Sequence, residues 1–340
     1  MKHTLLTLFL LISIGLSQEE YHYANIAYSD GRYLLKSGDL IFNVPIHGEV
    51  YMFVGGKKVI MGQSVFGKLE GEWTYWHENG QKSAEGIYKD GKEDGVWIEW
   101  HENGQKSSEI IYKNGKEDGL VNLWHENGQK TAEGIYKDGN QDGVWIEWHE
   151  NGQKKEERTF KDGERDGLYT FWYENGQKER EGTFKDGKQD GLWIIWYENG
   201  QKKLEETNKD GKKDGLYTFW YENGQKKEER AYKDGKQEGL MIVWYENGRK
   251  EVEGTYKDGT LNGKATSWYE NGQMNDEGIY KDGEYNGKWT YWSPDGKESS
   301  ELIYKDGAHW DGKWTDWDEN GQKRLEGIFK NGVLIEKIEY

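Results

Sequence analysis

Apolar and polar positions alternate along most of the chain, and the alternation is interrupted on a fixed schedule. A run such as Val96-Trp97-Ile98-Glu99-Trp100-His101, rich in aromatic and β-branched residues, ends at Asn103-Gly104. A second run, Lys106 to Tyr112, ends at Lys113-Asn114-Gly115, and a short polar link then reaches Asp118-Gly119. Alternation with a period of two reads as half-buried strands. Asn-Gly between such runs is a strong hairpin signal, because a type I′ turn needs positive φ at both central residues. Asp118-Gly119 is placed to kink the chain before the pattern restarts. A helix is excluded on cost: glycine occurs about once in seven residues, and each would cost about 1 kcal/mol in a helix interior.

The pattern repeats every 24 residues. Its second tryptophan falls at positions 76, 100, 124, 148, 172, 196, 220, 244, 268 and 292, then at 317 after one inserted residue. A fixed period of this length signals stacked units that share their apolar faces. The expected fold is all-β, an elongated tandem array of antiparallel β-hairpins forming a single twisted ribbon-like sheet. With two strands per copy it would be about 100 Å long at a strand spacing of about 4.8 Å.

The flanks differ from the copies. Residues 1–17 read as a secretory signal peptide, with Lys2 at the start, an apolar run from Leu5 to Leu16, and small Gly15 and Ser17 before a cut at Gln18. That run is shorter than the roughly 20 residues a spanning helix needs, so the mature chain is expected to be exported without a transmembrane helix. Periplasm, cell surface and secretion all remain open. Residues 18–47 form a lead-in and cap of one or two strands, residues 48–70 a degenerate copy, residues 71–332 eleven copies, and residues 333–340 a last cap strand.

A two-residue turn at Asn79-Gly80 would set Glu78 opposite Gln81, Trp76 opposite Ser83 and Trp73 opposite Gly86. Alternation then sends Trp73 and Trp76 to opposite faces. On the Trp73 face, Trp73, Tyr169, Met241, Ala265 and Trp314 each oppose a glycine (Gly86, Gly182, Gly254, Gly278, Gly327), which leaves room for a ring to lie across the strand. Arg158 opposes Trp145 and Arg230 opposes Tyr217, a cation–π arrangement. On the other face a glutamate recurs in every copy, from Glu85 and Glu109 to Glu326. The expectation is that each accepts a hydrogen bond from a neighbouring indole N–H.

Composition narrows the function. The formal charge is −17, and an acidic surface repels phosphate backbones and anionic lipid, which argues against nucleic acid as a partner. The chain has no cysteine, so thiolate catalysis, disulfides and cysteine-ligated zinc are excluded. His77, His101, His125 and His149 stand in a column about 9–10 Å apart by strand spacing, too far for two of them to share a zinc ion with bonds of about 2.0–2.1 Å. From Tyr173 onward the same position is tyrosine, as in an aromatic packing slot. The D-G-x-x-D-G links, such as Asp90 to Asp94, lack the ligand spacing of a calcium loop and read as turn chemistry. No nucleophile, base and oxyanion-hole constellation is present, and no cofactor is expected. Ala308-His309-Trp310 carries the inserted residue and reads as a bulge.

The copies G-[LV]-W-x-x-W-Y-E-N-G-Q-K-x-x-E-G-x-[YF]-K-D-G resemble the MORN-repeat variant found in tandem in many bacterial proteins. These are often labelled antitoxin-like, after the YwqK family of toxin–antitoxin systems. The resemblance covers about residues 48–332, and Asp30-Gly31-Arg32-Tyr33 to His47-Gly48-Glu49-Val50 looks like the usual lead-in. It implies a β-hairpin array serving as an interaction scaffold, with no catalytic residues to carry over. The resulting expectation is an exported, non-enzymatic scaffold that binds another protein. One alternative is an envelope glycan-binding protein whose rings at Trp73, Trp97, Trp145, Trp193 and Trp289 stack on sugars, with Trp310 a further contact candidate. Another is an antitoxin or immunity protein that neutralises a toxin.

Overall fold

The structure, a computed structural model, describes residues 25–317 and 322–340 apart from 30–31, 38–39, 46, 55 and 67. The expected signal peptide lies outside the described residues. The protein is all-β, an open antiparallel sheet of tandem hairpins in which each strand pairs with its neighbours in sequence. The described residues divide into two compact units, the first reaching to 154 and including 159–164, the second made of 155–158 and those from 165 onward. In the first unit the lead-in supplies three antiparallel strands, Asn25–Ser29, Arg32–Ser37 and Leu40–Pro45, where one or two were expected. The degenerate copy follows as His47–Val54 and Lys57–Val65. In the second unit the final strand Val333–Glu339 pairs with Lys323–Lys330.

One copy shows how the sequence builds the hairpin. Gly191–Trp196 runs against Lys202–Lys209, with Leu192 opposite Thr207 and Ile194 opposite Glu205. Lys202–Lys209 then turns at Asp210-Gly211 into Lys212–Trp220. The Lys-Asp-Gly turns have the expected type I′ signature, since both central residues take positive φ, as at Asp210 (+50°) and Gly211 (+79°).

The Glu-Asn-Gly-Gln turns are different. In the first copy only Gly80 is at positive φ (+87°), and Asn79 is not. The Gly80 N–H donates to the His77 carbonyl (3.0 Å), and the His77 N–H to the Gln81 carbonyl (2.8 Å). This is a three-residue loop with glycine in the left-handed position, not the two-residue type I′ turn expected from Asn-Gly. Asparagine acts through its side chain instead: Asn79 Oδ1 accepts from the Gln81 N–H at 2.9 Å, an Asx-type contact. Trp76 therefore opposes Lys82 rather than Ser83, and a one-residue bulge follows between Tyr75 and Trp76. The bulge cancels the slip. Trp73 meets Gly86, as the two-residue turn would have placed it.

Rings from one face form the core. Trp73, Trp97, Trp145, Trp193 and Trp289 are between 1% and 8% exposed, although each strand packs only against its neighbours in the sheet. Their room comes from glycine, but not from the glycine of their own hairpin. A Cβ on Gly86 would lie 2.2 Å from Trp97, one on Gly182 2.3 Å from Trp193, and one on Gly278 2.1 Å from Trp289. Gly62 and Gly134 are covered in the same way by Trp73 and Trp145. Each ring thus lies over the preceding strand, where glycine presents bare backbone. At Trp314 the ring approaches the glycine of its own hairpin, Gly327. The buried indole N–H is satisfied by the next carbonyl along that platform: Trp97 to Ile87 (3.2 Å), Trp193 to Thr183 (3.1 Å) and Trp289 to Ile279 (3.1 Å). A second ring closes each site edge-on, Phe184 on Trp193 at 5.1 Å and Tyr88 on Trp97 at 5.0 Å.

Gly182→Ala keeps an ordinary strand backbone but forces a methyl into the Trp193 ring. Thermal unfolding should show a loss of about 1–3 kcal/mol, the usual cost of overpacking. Gly254→Ala should cost less, because its Cβ would meet the flexible end of Leu261 at 3.0 Å and Ala265 at an ordinary 3.8 Å, with no ring in the way.

Candidate interaction surface

The face opposite the core rings is assembled from three columns. Along Gly191–Trp196 these are Leu192, Ile194 and Trp196, which alternation sends to the side away from Trp193. The leucine column stays in solvent. In the first unit it contains Val96, Leu120 and Val144, 47–56% exposed, and in the second Leu168, Leu192, Leu216 and Leu240, 49–61% exposed. The middle column carries the recurring glutamate on the partner strand, as Glu205 opposite Ile194.

The glutamate is held by lysine rather than indole. Lys202 Nζ lies 2.5 Å from Glu205 and 5.8 Å from the centre of the Trp220 ring in the next copy. Lys82 with Glu85 and Trp100, Lys106 with Glu109 and Trp124, and Lys226 with Glu229 and Trp244 repeat the arrangement. Residues three apart on a regular strand point to opposite faces. The bulge beside the turn turns lysine and glutamate to the same side, which is why alternation alone missed the pair. The expected indole–carboxylate bond is corrected accordingly, and the Trp76 Nε1 is buried without a partner. Two exceptions keep the rule: where the ladder lysine is replaced by Met274 and Glu298, Lys264 and Lys288 enter the leucine column and pair with Glu277 (2.9 Å) and Glu301 (2.7 Å).

Both edges are tied copy to copy. Asn79 Nδ2 donates to the Glu102 carbonyl (2.8 Å) and Asn199 Nδ2 to the Glu222 carbonyl (3.2 Å). The histidine–tyrosine column is a hydrogen-bonding position. His77 and His101 Nε2 lie 2.8 and 2.9 Å from the Trp100 and Trp124 carbonyls, and the Tyr197 and Tyr221 hydroxyls donate to Trp220 and Trp244 at 2.8 Å. On the other edge the acid at the end of several links accepts the N–H of the next turn, Asp90 to Glu70 at 2.9 Å, Asp258 to Glu238 at 2.8 Å and Asp186 to Asp166 at 3.3 Å. These carboxylates serve the turns. Among the described residues no group of three histidine, aspartate or glutamate side chains stands close enough to hold a metal.

Titration is shaped by burial. It pushes the Tyr75 phenol up to about 12 and raises the Glu99 and Asp276 carboxyls. Each of these two acids accepts a hydrogen bond from its cross-strand serine, Ser108 at 2.9 Å and Ser267 at 2.5 Å, which partly offsets the desolvation. Open depressions between successive copies, about 340 Å³ between Trp76 and Trp100 and about 430 Å³ beside Arg249 and Trp268, lie at the Asn-Gly edge.

The five core tryptophans singled out in the sequence are therefore not on this surface. Their faces lie on glycine backbone and against other rings, which leaves no ring plane of Trp73, Trp97, Trp145, Trp193 or Trp289 for a sugar. Trp310 is half-buried under Lys305, whose Nζ is 4.2 Å from the ring centre, and its carbonyl accepts the Gly332 N–H at 2.8 Å. The insertion beside it is a bulge, with the register shifting between Ile303 and Tyr304. Arg230 does oppose Tyr217, but it pairs with Glu228, and Lys213 occupies the ring at 4.0 Å.

Nine segments match the MORN repeat variant: residues 69–90, 93–114, 141–162, 165–186, 189–209, 213–234, 237–258, 261–282 and 310–331. They cover more than half of the chain, which belongs to this family of repeat proteins. The copies around Trp124 and Trp292 fall between the matched segments but pair in the same register. No curated protein matches. Among solved structures, a crystal structure of TcdB2-TccC3-TEV is 10% identical over 91% of this chain and 18% of that one, with a TM-score of 0.19. The Photorhabdus luminescens Tc holotoxin pore carrying TccC3-D651A is also 10% identical over 91% and 18%, at 0.17. The C-terminal WD40 domain of Sif2 is 13% identical over 87% and 82%, at 0.15. Likenesses at these scores carry no argument. Among the described residues no helix is long and apolar enough to cross a membrane.

A double-mutant cycle tests the reassigned glutamate. Lys202→Met with Glu205→Gln should give a coupling of about 0.5 kcal/mol, typical of an exposed ion pair. Trp196→Phe with Glu205→Gln should give none.

Proposed function

We propose that the protein is an exported, non-enzymatic β-repeat scaffold that binds another protein through the face opposite its core rings. The observation that carries this reading is the column Leu168, Leu192, Leu216 and Leu240. These residues stay about half in solvent, while the tryptophan rings of the other face are buried. The leucines alternate across their hairpins with Thr183, Thr207, Ala231 and Thr255, and exposed apolar side chains aligned in this way and rimmed by charge suit a protein-binding surface. The Lys–Glu pairs beside the strip are neutral as pairs, so the binding face is less acidic than the turns at its margins.

Leu192→Lys with Leu216→Lys should abolish cross-linking to the partner in envelope fractions while leaving the unfolding midpoint nearly unchanged, since both sites are already solvated. Retained cross-linking would move the binding site elsewhere. For export, N-terminal sequencing of the mature protein should begin at Gln18, and a mature chain that begins at Met1 would remove that part of the reading.

A further inference from the structure

The lysine ladder is interrupted in the second unit. Lys202, Lys226 and Lys250 each hold a glutamate of their own strand and stand 5.7–5.9 Å from the tryptophan ring of the next copy, Trp220, Trp244 and Trp268. In the next copy the equivalent residue is Met274, opposite Trp268, and in the one after it is Glu298, opposite Trp292. The ring that Met274 should cover with a cation is Trp292. Among the described residues no cation stands over it.

The exchange is matched, which separates it from simple loss. Lys264 and Lys288 appear in the leucine column and neutralise Glu277 and Glu301 from the far side. The glutamates keep their counter-ions, and only the ring loses its cover. Beside it, Glu298 is exposed and replaces a positive charge with a negative one. Its exposed neighbours Asp295 and Lys297 pair with each other at 2.9 Å, and Lys288, the cation whose charge also reaches Glu298, is held by Glu301 at 2.7 Å.

We propose that Trp292, Met274 and Glu298 form a docking point for a lysine or arginine side chain of the protein partner. This rests on the reading that this face binds protein. The partner's cation takes the position that the chain's own lysine takes in the preceding copies: over the indole, where the ring quadrupole attracts it, against the polarisable methionine, and next to a carboxylate. The net charge of −17 draws a basic segment toward the chain from a distance, and the interruption supplies the specific seat.

The test uses the full mature chain with 15N-labelled indoles and a hexalysine peptide, the Trp292 signal being assigned with Trp292→Phe. The Trp292 indole should shift saturably, and hexaglutamate should leave it unmoved. Met274→Lys, which completes the ladder, and Glu298→Lys should each weaken the response about fivefold, the equivalent of a contact worth about 1 kcal/mol. Met274→Lys should unfold no earlier than the parent. Shifts spread evenly over the indoles, or a Trp292 response unchanged in both variants, would reduce the effect to general attraction by an acidic chain and overturn the proposal. If Leu192→Lys with Leu216→Lys abolishes partner cross-linking while Trp292 stays silent to hexalysine, this inference alone falls.

Discussion

A tryptophan lying on a glycine of the preceding strand is the contact on which the rest of this sheet depends. Strands that pack only against their neighbours have no opposing layer to bury a large ring, so the ring must be buried on the sheet itself. Glycine makes that possible by presenting backbone within van der Waals reach. The indole then covers polar backbone, donates its N–H to the adjacent carbonyl, and takes a tyrosine or phenylalanine edge at its rim. Where glycine gives way to Ile110, Arg158, Glu206 or Arg230, the residue eleven places on is Val121, Tyr169, Tyr217 or Met241 rather than tryptophan. In these four copies the platform and the tryptophan are lost together, whereas the glycine is kept at Gly254, before Ala265.

Period, strand content and long-range register were legible because they rest on alternation and on turn residues, which act locally. The alternative turn geometry at Asn79-Gly80 was not legible, because Asn-Gly satisfies two loops equally well at the level of residue type. The loop slips by one position and the bulge beside it slips back, so Trp73 still meets Gly86 while Lys82 arrives on an unexpected face. That hidden pair of compensating shifts explains why glutamate was assigned to indole. A lysine three residues before the glutamate in every copy but those of Glu277 and Glu301, where Lys264 and Lys288 stand upstream instead, is the signal that would have found the true partner.

The candidate site was misplaced for a related reason. Tryptophans on a thin sheet suggest open ring faces, and only the next strand reveals whether a ring has somewhere to lie. The glycine eleven residues before Trp73, Trp97, Trp145, Trp193 and Trp289 is visible in the sequence once the direction of lean is known. Leucines that look like core residues by hydropathy are left outside, because the bared backbone that receives a ring lies on the other face.

The lean of each tryptophan also gives the array a direction in time. Gly182 leaves the ribosome before Trp193, and Gly278 before Trp289, so each of the five core rings emerges to find its seat already laid down, and Trp314, which meets the later Gly327, is the exception. A chain can therefore settle one copy at a time in the order it is made, with none of the five core rings waiting for a strand yet to come. A chain cut short at its carboxyl end forfeits a lid, whereas one that starts late strands an indole without a floor.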